Sequence, residues 1–252
     1  MKPIKIEQAP TNIVVILGSD PLIIPTEIRT QHELFWKEQI KLNPSLRNGE
    51  TFTITNINHT SEELSVTVAK TDYKHYLYTI HHPDCEYPCK VLYTCAAVIT
   101  SDQHIVFGQM NRLTSTPGRL QFTGGGLEES DLDGNRFSLE KNIGMEIKEE
   151  MGLDIESSSI RSCSPKFIKY KGTYDFWAVI YEVVVTQTAQ EFQTMFFSHN
   201  QQLMDKGKQP EFDQLIFLPL EKIAIEAFIK NETSPMVDYL APVLLKYTDS
   251  QS

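Results

Sequence analysis

The sequence predicts a mixed α/β (α+β) fold in which a mixed sheet lies between helices. Three observations lead to this prediction. Short apolar runs with strand-like composition recur along the chain, amphipathic helical segments lie between them, and no internal repeat or low-complexity tract interrupts the pattern. With 252 residues, 40% of them hydrophobic, the chain can bury a substantial core. We expect residues 1–88 to form a small N-terminal α/β extension and residues 89–252 to form the main domain.

The N-terminal segment is patterned like a folded unit. Residues 12–17 are apolar and β-branched, which predicts a buried strand, and residues 32–42 have helical spacing. Turn signals then precede two further strand-like runs, 51–57 and 64–69. We expect the helix to make its apolar contacts through four residues: Leu34, Phe35, Ile40 and Leu42.

The main domain alternates strands and helices. Residues 91–100 and 104–109 predict a hairpin, and residues 166–171 and 174–185 predict a second pair of strands. Single strands are expected at residues 120–122 and 215–218, and a helix at residues 189–204. Ser234 and Pro235 predict the start of a C-terminal helical segment, kinked or restarted at Pro242.

A helix is predicted at residues 138–151 by local signals. Ser138 is a suitable N-cap, and Gly152 stands where a left-handed residue commonly ends a helix. An apolar row repeats every four residues: Leu139, Ile143, Ile147 and Met151.

Three glutamates of this helix, Glu146, Glu149 and Glu150, occupy positions i, i+3 and i+4, so their carboxylates converge. They have no Lys or Arg three or four residues away, and they lie toward the negative end of the helix dipole. A divalent cation would reverse each of these unfavourable interactions, and oxygen-only ligands favour Mg²⁺, or Mn²⁺, over zinc. The alternative is a solvated glutamate-rich helix face.

Gly124, Gly125 and Gly126 follow the strand predicted at residues 120–122. A run of three glycines alone usually indicates a turn. Between a strand and an acidic helix, however, glycines let the backbone approach a phosphate or a metal closely. We therefore predict Gly125 and Gly126 as substrate contacts.

Loop and helix together resemble the Nudix box, whose usual form is G-x5-E-x7-R-E-U-x-E-E-x-G-U, where U is a bulky aliphatic residue. The matching positions are Glu146, Ile147, Glu149, Glu150, Gly152 and Leu153. The resemblance implies a Nudix fold and a Mg²⁺-dependent hydrolase. It also implies that Glu146, Glu149 and Glu150 are metal ligands.

Two positions depart from that motif. Met145 replaces the arginine, Phe137 replaces the first glutamate, and ten residues rather than five separate Gly126 from that position. In the family, this arginine and glutamate help to brace the loop against the helix. Four acidic residues of the longer loop could substitute for them: Glu128, Glu129, Asp131 and Asp133.

A second set of residues resembles the N-terminal part of the eukaryotic UDP-glucose and UDP-galactose pyrophosphatases of that superfamily. These are Trp36, Pro44, Asn48, Gly49 and the run Thr71-Asp72-Tyr73, and the similarity continues through residues 107–118. It implies cleavage of UDP-glucose or UDP-galactose to UMP and a sugar 1-phosphate. The residues leave two alternatives open: ADP-ribose or a dinucleotide as substrate, and a non-catalytic nucleotide-binding module, which the departures at Phe137 and Met145 motivate.

Further candidates lie outside the helix. Glu211 precedes the final strand, where many Nudix enzymes keep a carboxylate that acts as base or metal ligand, although an ordinary surface-loop carboxylate is the commoner alternative. Together with Glu149 of the helix, it is a candidate for the catalytic base. Arg112 could bind a substrate phosphate through its guanidinium fork, or be an exposed cation. Tyr73 and Tyr76 could stack on a nucleobase, or pack within the extension.

The formal charge of −10 argues against nucleic acid or an anionic membrane as the main partner. The resemblance implies a small nucleotide as the partner instead. The oligomeric state is left open. No apolar run resembles a signal peptide or reaches the ~20 residues of a membrane span, which favours a cytoplasmic protein. Residues 81–89 contain two His and two Cys, but their spacing matches no common zinc site and a plain loop is favoured.

Overall fold

The computed structural model describes residues 3–249, which form six helices and twelve strands, so the mixed α/β prediction is confirmed. The helices are α1 (Thr26–Leu42), α2 (Tyr73–His81), α3 (Leu139–Met151), α4 (Ala189–Asp205), α5 (Lys222–Asn231) and α6 (Leu240–Asp249). The strands are β1 (Ile4–Gln8), β2 (Asn12–Leu17), β3 (Glu50–His59), β4 (Glu63–Asp72), β5 (Leu92–Ile99), β6 (His104–Met110), β7 (Leu120–Gln121), β8 (Leu132–Asp133), β9 (Arg136–Phe137), β10 (Ile160–Lys171), β11 (Trp177–Val185) and β12 (Phe212–Pro219). Within residues 3–249, no helix combines the length and apolarity needed to cross a membrane.

The larger sheet has seven strands in the order β1-β10-β11-β5-β6-β12, with β7 paired to β6. The β11–β5 pair is parallel and the other pairs are antiparallel. One face packs against α3 and α4, through residues such as Ile143 and Phe192, and the other against α5 and α6, through Ile225 and Leu244. The predicted sheet between helices is therefore present.

The smaller sheet has five strands in the order β3-β4-β2-β9-β8. Its first three strands come from the predicted extension, and β8 and β9 lie in the loop that precedes α3. Ile16 of β2 pairs with Arg136 of β9, and Ile4 of β1 pairs with Lys171 of β10, so strands pair across the predicted boundary at residue 88. The loop before α3 is consequently held by the N-terminal sheet.

Helix α1 differs from the prediction in its start and in its contacts. It begins at Thr26, directly after Pro25, rather than at residue 32. Three of the residues expected to make apolar contacts are exposed: Leu34 (59%), Ile40 (37%) and Leu42 (79%). His32 and Trp36 are buried instead, because α1 packs on α2 through rings, with His32 stacked on His75 at 4.9 Å.

Two helices, α2 and α5, were not predicted. Helix α2 is capped by Asp72, whose carboxylate accepts a hydrogen bond from His75 N at 3.1 Å. The C-terminal helix begins at Leu240 rather than near residue 234, which puts Pro242 in its first turn, where proline is tolerated without a kink. The segment before it pairs with β7 instead, through a 2.8 Å hydrogen bond from Leu120 N to the Pro235 carbonyl.

Candidate active site

Helix α3, which carries the three glutamates, has the predicted caps. The Ser138 hydroxyl accepts a hydrogen bond from Lys141 N at 3.3 Å, and Gly152 has φ +74°, in the left-handed region. The predicted apolar row is buried: Leu139, Ile143, Ile147 and Met151. Local capping and burial of this row therefore anchor the helix, and its glutamates project from a fixed scaffold.

The glycine run lies antiparallel to β5. Thr94 N donates to the Gly125 carbonyl (3.0 Å), and Ala96 N donates to the Thr123 carbonyl (2.9 Å). Gly124 has φ +151°, and a Cβ at this position would overlap the Thr94 carbonyl. A glycine is required there by both conformation and space.

Two of the three glutamates touch the glycine run. The Glu146 carboxylate lies against Gly125, where a Cβ would overlap it. Glu150 is 5% exposed and accepts hydrogen bonds from Gly124 N (3.1 Å) and from the Thr123 hydroxyl. The fold thus brings two carboxylates of α3 onto the backbone of the glycine run.

We call Glu146, Glu149, Glu150 and Glu211 the carboxylate cluster, and their carboxyl groups repel one another. Burial raises the pKa of Glu146 to about 7, with repulsion from Glu211, Glu128 and Glu149 adding to the effect. Burial also raises the pKa of Glu150 well above its usual range, followed by repulsion from Glu211. Glu211, just before β12, is exposed, and its carboxyl group lies near enough to that of Glu150 to add to this rise. Glu149 is exposed.

This donor set suits a hard divalent cation, because every donor is a carboxylate oxygen. Among residues 3–249, however, no three Asp, Glu, His or Cys side chains stand close enough to hold an ion as they are. As they stand, Glu146, Glu149, Glu150 and Glu211 therefore do not form a complete coordination shell. A cation placed among them would replace repulsion between carboxylates with attraction to the ion.

The loop is braced against α3 by Asn142, a residue that the sequence did not single out. Its amide oxygen accepts a hydrogen bond from the Thr94 hydroxyl, and its amide nitrogen donates to the Gly126 carbonyl (2.9 Å) and to the Asp131 carboxylate (2.8 Å). Asn142 and Asp131 are each 2% exposed. Asp131 also accepts from Glu128 N at 2.8 Å. Of the four acidic residues considered, Asp131 is the one that joins the loop to the helix.

The two positions that depart from the Nudix motif have unrelated surroundings. Phe137 is 2% exposed and packs edge-on against Phe52 of the smaller sheet at 4.9 Å. Met145 is 48% exposed on the outer face of α3. Phe137 therefore belongs to the core, whereas Met145 takes no part in bracing the loop.

A cavity of about 540 Å³ lies on the other side of the glycine run. Its wall includes the three glycines and six aromatic residues: Tyr73, Tyr76, Tyr93, Tyr174, Phe176 and Tyr239. Tyr73 and Tyr76 come from α2, so the N-terminal segment supplies one wall. The glutamates are not part of the wall, and the glycine run is the element that the cavity and the carboxylate cluster share.

Arg112 lies outside this cavity and is exposed. The chain turns back after β6, where Met110 N donates to the Arg119 carbonyl at 2.9 Å, and this turn carries Arg119 rather than Arg112 into the cavity wall. Sequence reasoning did not consider Arg119. Its position directly before the predicted strand and the glycine run was the sequence signal that could have identified it.

Residues 81–89 pack rather than form a metal site in the described structure. Phe35 of α1 meets the ring of His82 at 5.3 Å. Cys89 is buried, its backbone N donates to the Thr79 hydroxyl at 2.8 Å, and burial raises the pKa of its thiol to about 12. The segment closes the end of α2.

Many solved structures resemble this chain, among them the following three, all of low identity. The DR0079 protein of Deinococcus radiodurans is 16% identical with a TM-score of 0.44, over 62% of this chain and 82% of that one. The MutT protein of Methanosarcina mazei Go1 is 15% identical with a TM-score of 0.41, over 67% and 98%. The Nudix domain of Shewanella oneidensis NrtR, solved with ADP ribose, is 12% identical with a TM-score of 0.40, over 70% and 98%. No protein-family model and no curated protein matches the chain. These likenesses assign neither a family nor a substrate to this chain.

Proposed function

We propose that this chain is a Nudix-type pyrophosphohydrolase that uses Mg²⁺ or Mn²⁺ to cleave a nucleoside diphosphate-linked substrate. The observation that carries the proposal is the packing of Glu146 and Glu150 onto Gly125 and Gly124. Burying carboxylates beside one another costs free energy unless they take up protons or a cation is bound there, and a divalent cation would act on all of them at once. A cation-binding cluster on a bare glycine backbone suits an anionic diphosphate.

In this proposal the glutamates bind the metal ion and the glycines contact the substrate. When bound, the metal ion neutralises the diphosphate and lowers the pKa of a water molecule. Glu146, Glu149 and Glu150 supply carboxylate oxygens to hold it. Gly126 has open space where a side chain would stand, which leaves room for a phosphate oxygen close to the backbone, and Gly125, against which Glu146 packs, lines the same cavity.

Glu149 or Glu211 accepts the proton of the attacking water, and the exposure of both keeps them within reach of solvent. The water oxygen bonds to phosphorus as the bond from that phosphorus to the bridging oxygen breaks. The products are a nucleoside monophosphate and a sugar 1-phosphate.

For the substrate we propose UDP-glucose or UDP-galactose, on the resemblance of the residues around Trp36, Asn48 and Thr71-Asp72-Tyr73 to UDP-sugar pyrophosphatases. ADP-ribose or a dinucleotide would use the same carboxylates. A binding module without catalysis would use the same cavity.

The test is release of UMP from UDP-glucose by purified protein with and without millimolar Mg²⁺, with ADP-ribose in parallel. We expect Mg²⁺-dependent release of UMP. Turnover of ADP-ribose alone would keep the mechanism and discard the UDP-sugar. If neither is cleaved over hours while either raises the melting temperature, the chain is a binding module and the enzymatic proposal is wrong.

A further inference from the structure

The charges in the cavity wall do not cancel. Three charged side chains line it: Arg119, Lys169 and Asp238. Lys169 is buried and lies 3.0 Å from Asp238, so this pair is neutral overall. Within residues 3–249, Arg119 forms no ion pair and is the cation of this wall that lacks a partner of opposite charge, in a protein whose net charge is −10.

The Arg119 guanidinium is held by a neutral partner. Its Nε donates to the Gln121 side-chain carbonyl at 3.0 Å, and one terminal nitrogen donates to the same oxygen. Gln121 is 8% exposed in β7, so it fixes the guanidinium without neutralising it. A guanidinium has five N–H donors, and two are used here, which leaves donors for a second planar or tetrahedral acceptor such as a phosphate.

Beside this cation the wall is aromatic. Tyr73 and Tyr76 lie 5.7 Å apart, Tyr76 stacks on Phe176 at 5.7 Å, and Phe176 stacks on Tyr174 at 5.2 Å. The row joins α2 to the turn between β10 and β11, and the Tyr174 hydroxyl ties the two by donating to the Ile80 carbonyl at 3.3 Å. Ring faces next to a fixed cation match a flat base joined to an anionic group.

We infer that the cavity binds the nucleoside monophosphate part of the substrate, with Arg119 donating to its phosphate and Gln121 positioning that guanidinium. The identity of the ligand rests on the proposed function, but the recognition does not require catalysis. Arg119, rather than Arg112, is then the arginine that recognises phosphate.

The experiment compares binding of UMP and of uridine by isothermal titration calorimetry without metal, in EDTA. The ratio of the dissociation constant of uridine to that of UMP measures how much the phosphate group contributes to affinity. Arg119→Gln is compared with Arg112→Gln, a matched control seven positions away on the exposed turn. Arg119→Lys tests whether charge alone suffices, and melting temperatures establish that each variant is folded.

We expect Arg119→Gln to reduce the ratio about tenfold or more, because a charge-assisted hydrogen bond is lost, while uridine binding and Arg112→Gln stay unchanged. Arg119→Lys should fall between, since it keeps the charge and loses the fork. Gln121→Leu should also reduce the ratio without changing uridine binding. If wild type binds AMP rather than UMP, the same ratio is taken with adenosine.

An unchanged ratio in Arg119→Gln, an equal fall in Arg112→Gln, or no binding of either nucleotide to wild type would overturn the inference. Failure here is separable from failure of the proposed function. Arg119-dependent binding without Mg²⁺-dependent cleavage would reject the enzyme and keep the site. Mg²⁺-dependent cleavage together with an unchanged uridine-to-UMP ratio in Arg119→Gln would keep the enzyme and reject the site.

Discussion

Helix α3 carries two polar clusters that differ in whether their polar groups have favourable partners. Around Asn142, the amide oxygen and both amide hydrogens have partners, on Thr94, Gly126 and Asp131. Around Glu150, carboxyl groups face one another, and burial and repulsion raise the pKa values of Glu150 and Glu146. The same helix thus contains one polar cluster whose hydrogen bonds are complete and one whose charges are not.

The difference distinguishes a cluster that completes the fold from the one that we propose as the metal site. A fold that satisfies every polar atom of Asn142 has no need of a ligand there. Repulsion between buried carboxyl groups is relieved by protonation or by a bound cation, so the unfavourable cluster is where we expect a cation to bind. The predictions that follow test this distinction, from the largest expected effect to the smallest.

Glu150→Gln should abolish most activity and leave the fold intact. The amide keeps an oxygen for the hydrogen bonds from Gly124 N and the Thr123 hydroxyl, but it removes the negative charge that a metal ion needs. We expect the rate of UMP release to fall on the order of a thousandfold, about 4 kcal/mol of transition-state stabilisation. Steady-state kinetics at saturating Mg²⁺ measures this.

The control is Glu140→Gln, an exposed glutamate in the first turn of the same helix, which should leave the rate unchanged. Without metal, the melting temperature of Glu150→Gln should equal or exceed that of wild type, because a repulsion is relieved. A variant that stays active, or one that unfolds, would contradict the assignment of this cluster to metal binding.

Asn142→Ala should destabilise the protein, since it removes three hydrogen bonds and leaves the Asp131 carboxylate buried with fewer donors. We expect a loss of about 2 to 4 kcal/mol in the free energy of unfolding, measured by urea denaturation. Asn135→Ala, at an exposed asparagine of the same loop, is the control and should change it by less than about 0.5 kcal/mol. Equal stabilities for the two variants would mean that the loop is held by other contacts.

Local signals predicted the parts of this site that are local. Ser138 and Gly152 cap α3 as expected because capping depends on residues within one turn. The apolar row is buried because its spacing is a property of the helix alone. Glu146 and Glu150 meet the glycine run because strand, loop and helix are consecutive.

The parts that were missed depend on distant partners. Asn142 braces the loop through Thr94, which lies on β5 and is remote in sequence. Arg119 rather than Arg112 faces the cavity because of how the chain turns back after β6. Three of the four contacts predicted for α1 were wrong for a related reason, whereas Phe35 does pack on α2. Periodicity selects apolar residues such as Leu34, but α2 presents rings that favour His32.

A buried polar pair away from α3, His32 and His75, predicts a dependence of stability on pH. Burial, then the charge of His75, lowers the pKa of His32 from 6.5 to about 4, with Lys74 adding to the lowering and Asp72 and Glu33 opposing it. Burial also lowers the pKa of His75. Because the unfolded chain binds these protons more readily, their contribution is complete above pH 6.5 and is lost as pH falls toward 4.

For His32 alone we expect a loss of roughly 2 kcal/mol in the free energy of unfolding between pH 7 and pH 5. Urea denaturation at a series of pH values measures it, and His32→Phe, which keeps a ring against His75, should show a smaller slope. Parallel curves for wild type and His32→Phe would show that His32 does not remain neutral in the folded protein.

Met145→Arg restores the arginine of the Nudix motif, and it should change almost nothing. In that motif the arginine acts with a glutamate, but the glutamate position is Phe137, which is buried against Phe52 and cannot supply a carboxylate. Since Met145 is 48% exposed and Asn142 already braces the loop, the new side chain would extend into solvent. We expect stability within about 0.5 kcal/mol of wild type and an unchanged rate of UMP release, measured as above. A gain of several-fold in rate would show that the Asn142 cluster is an incomplete brace, and the contrast between the two clusters of α3 would then be one of degree.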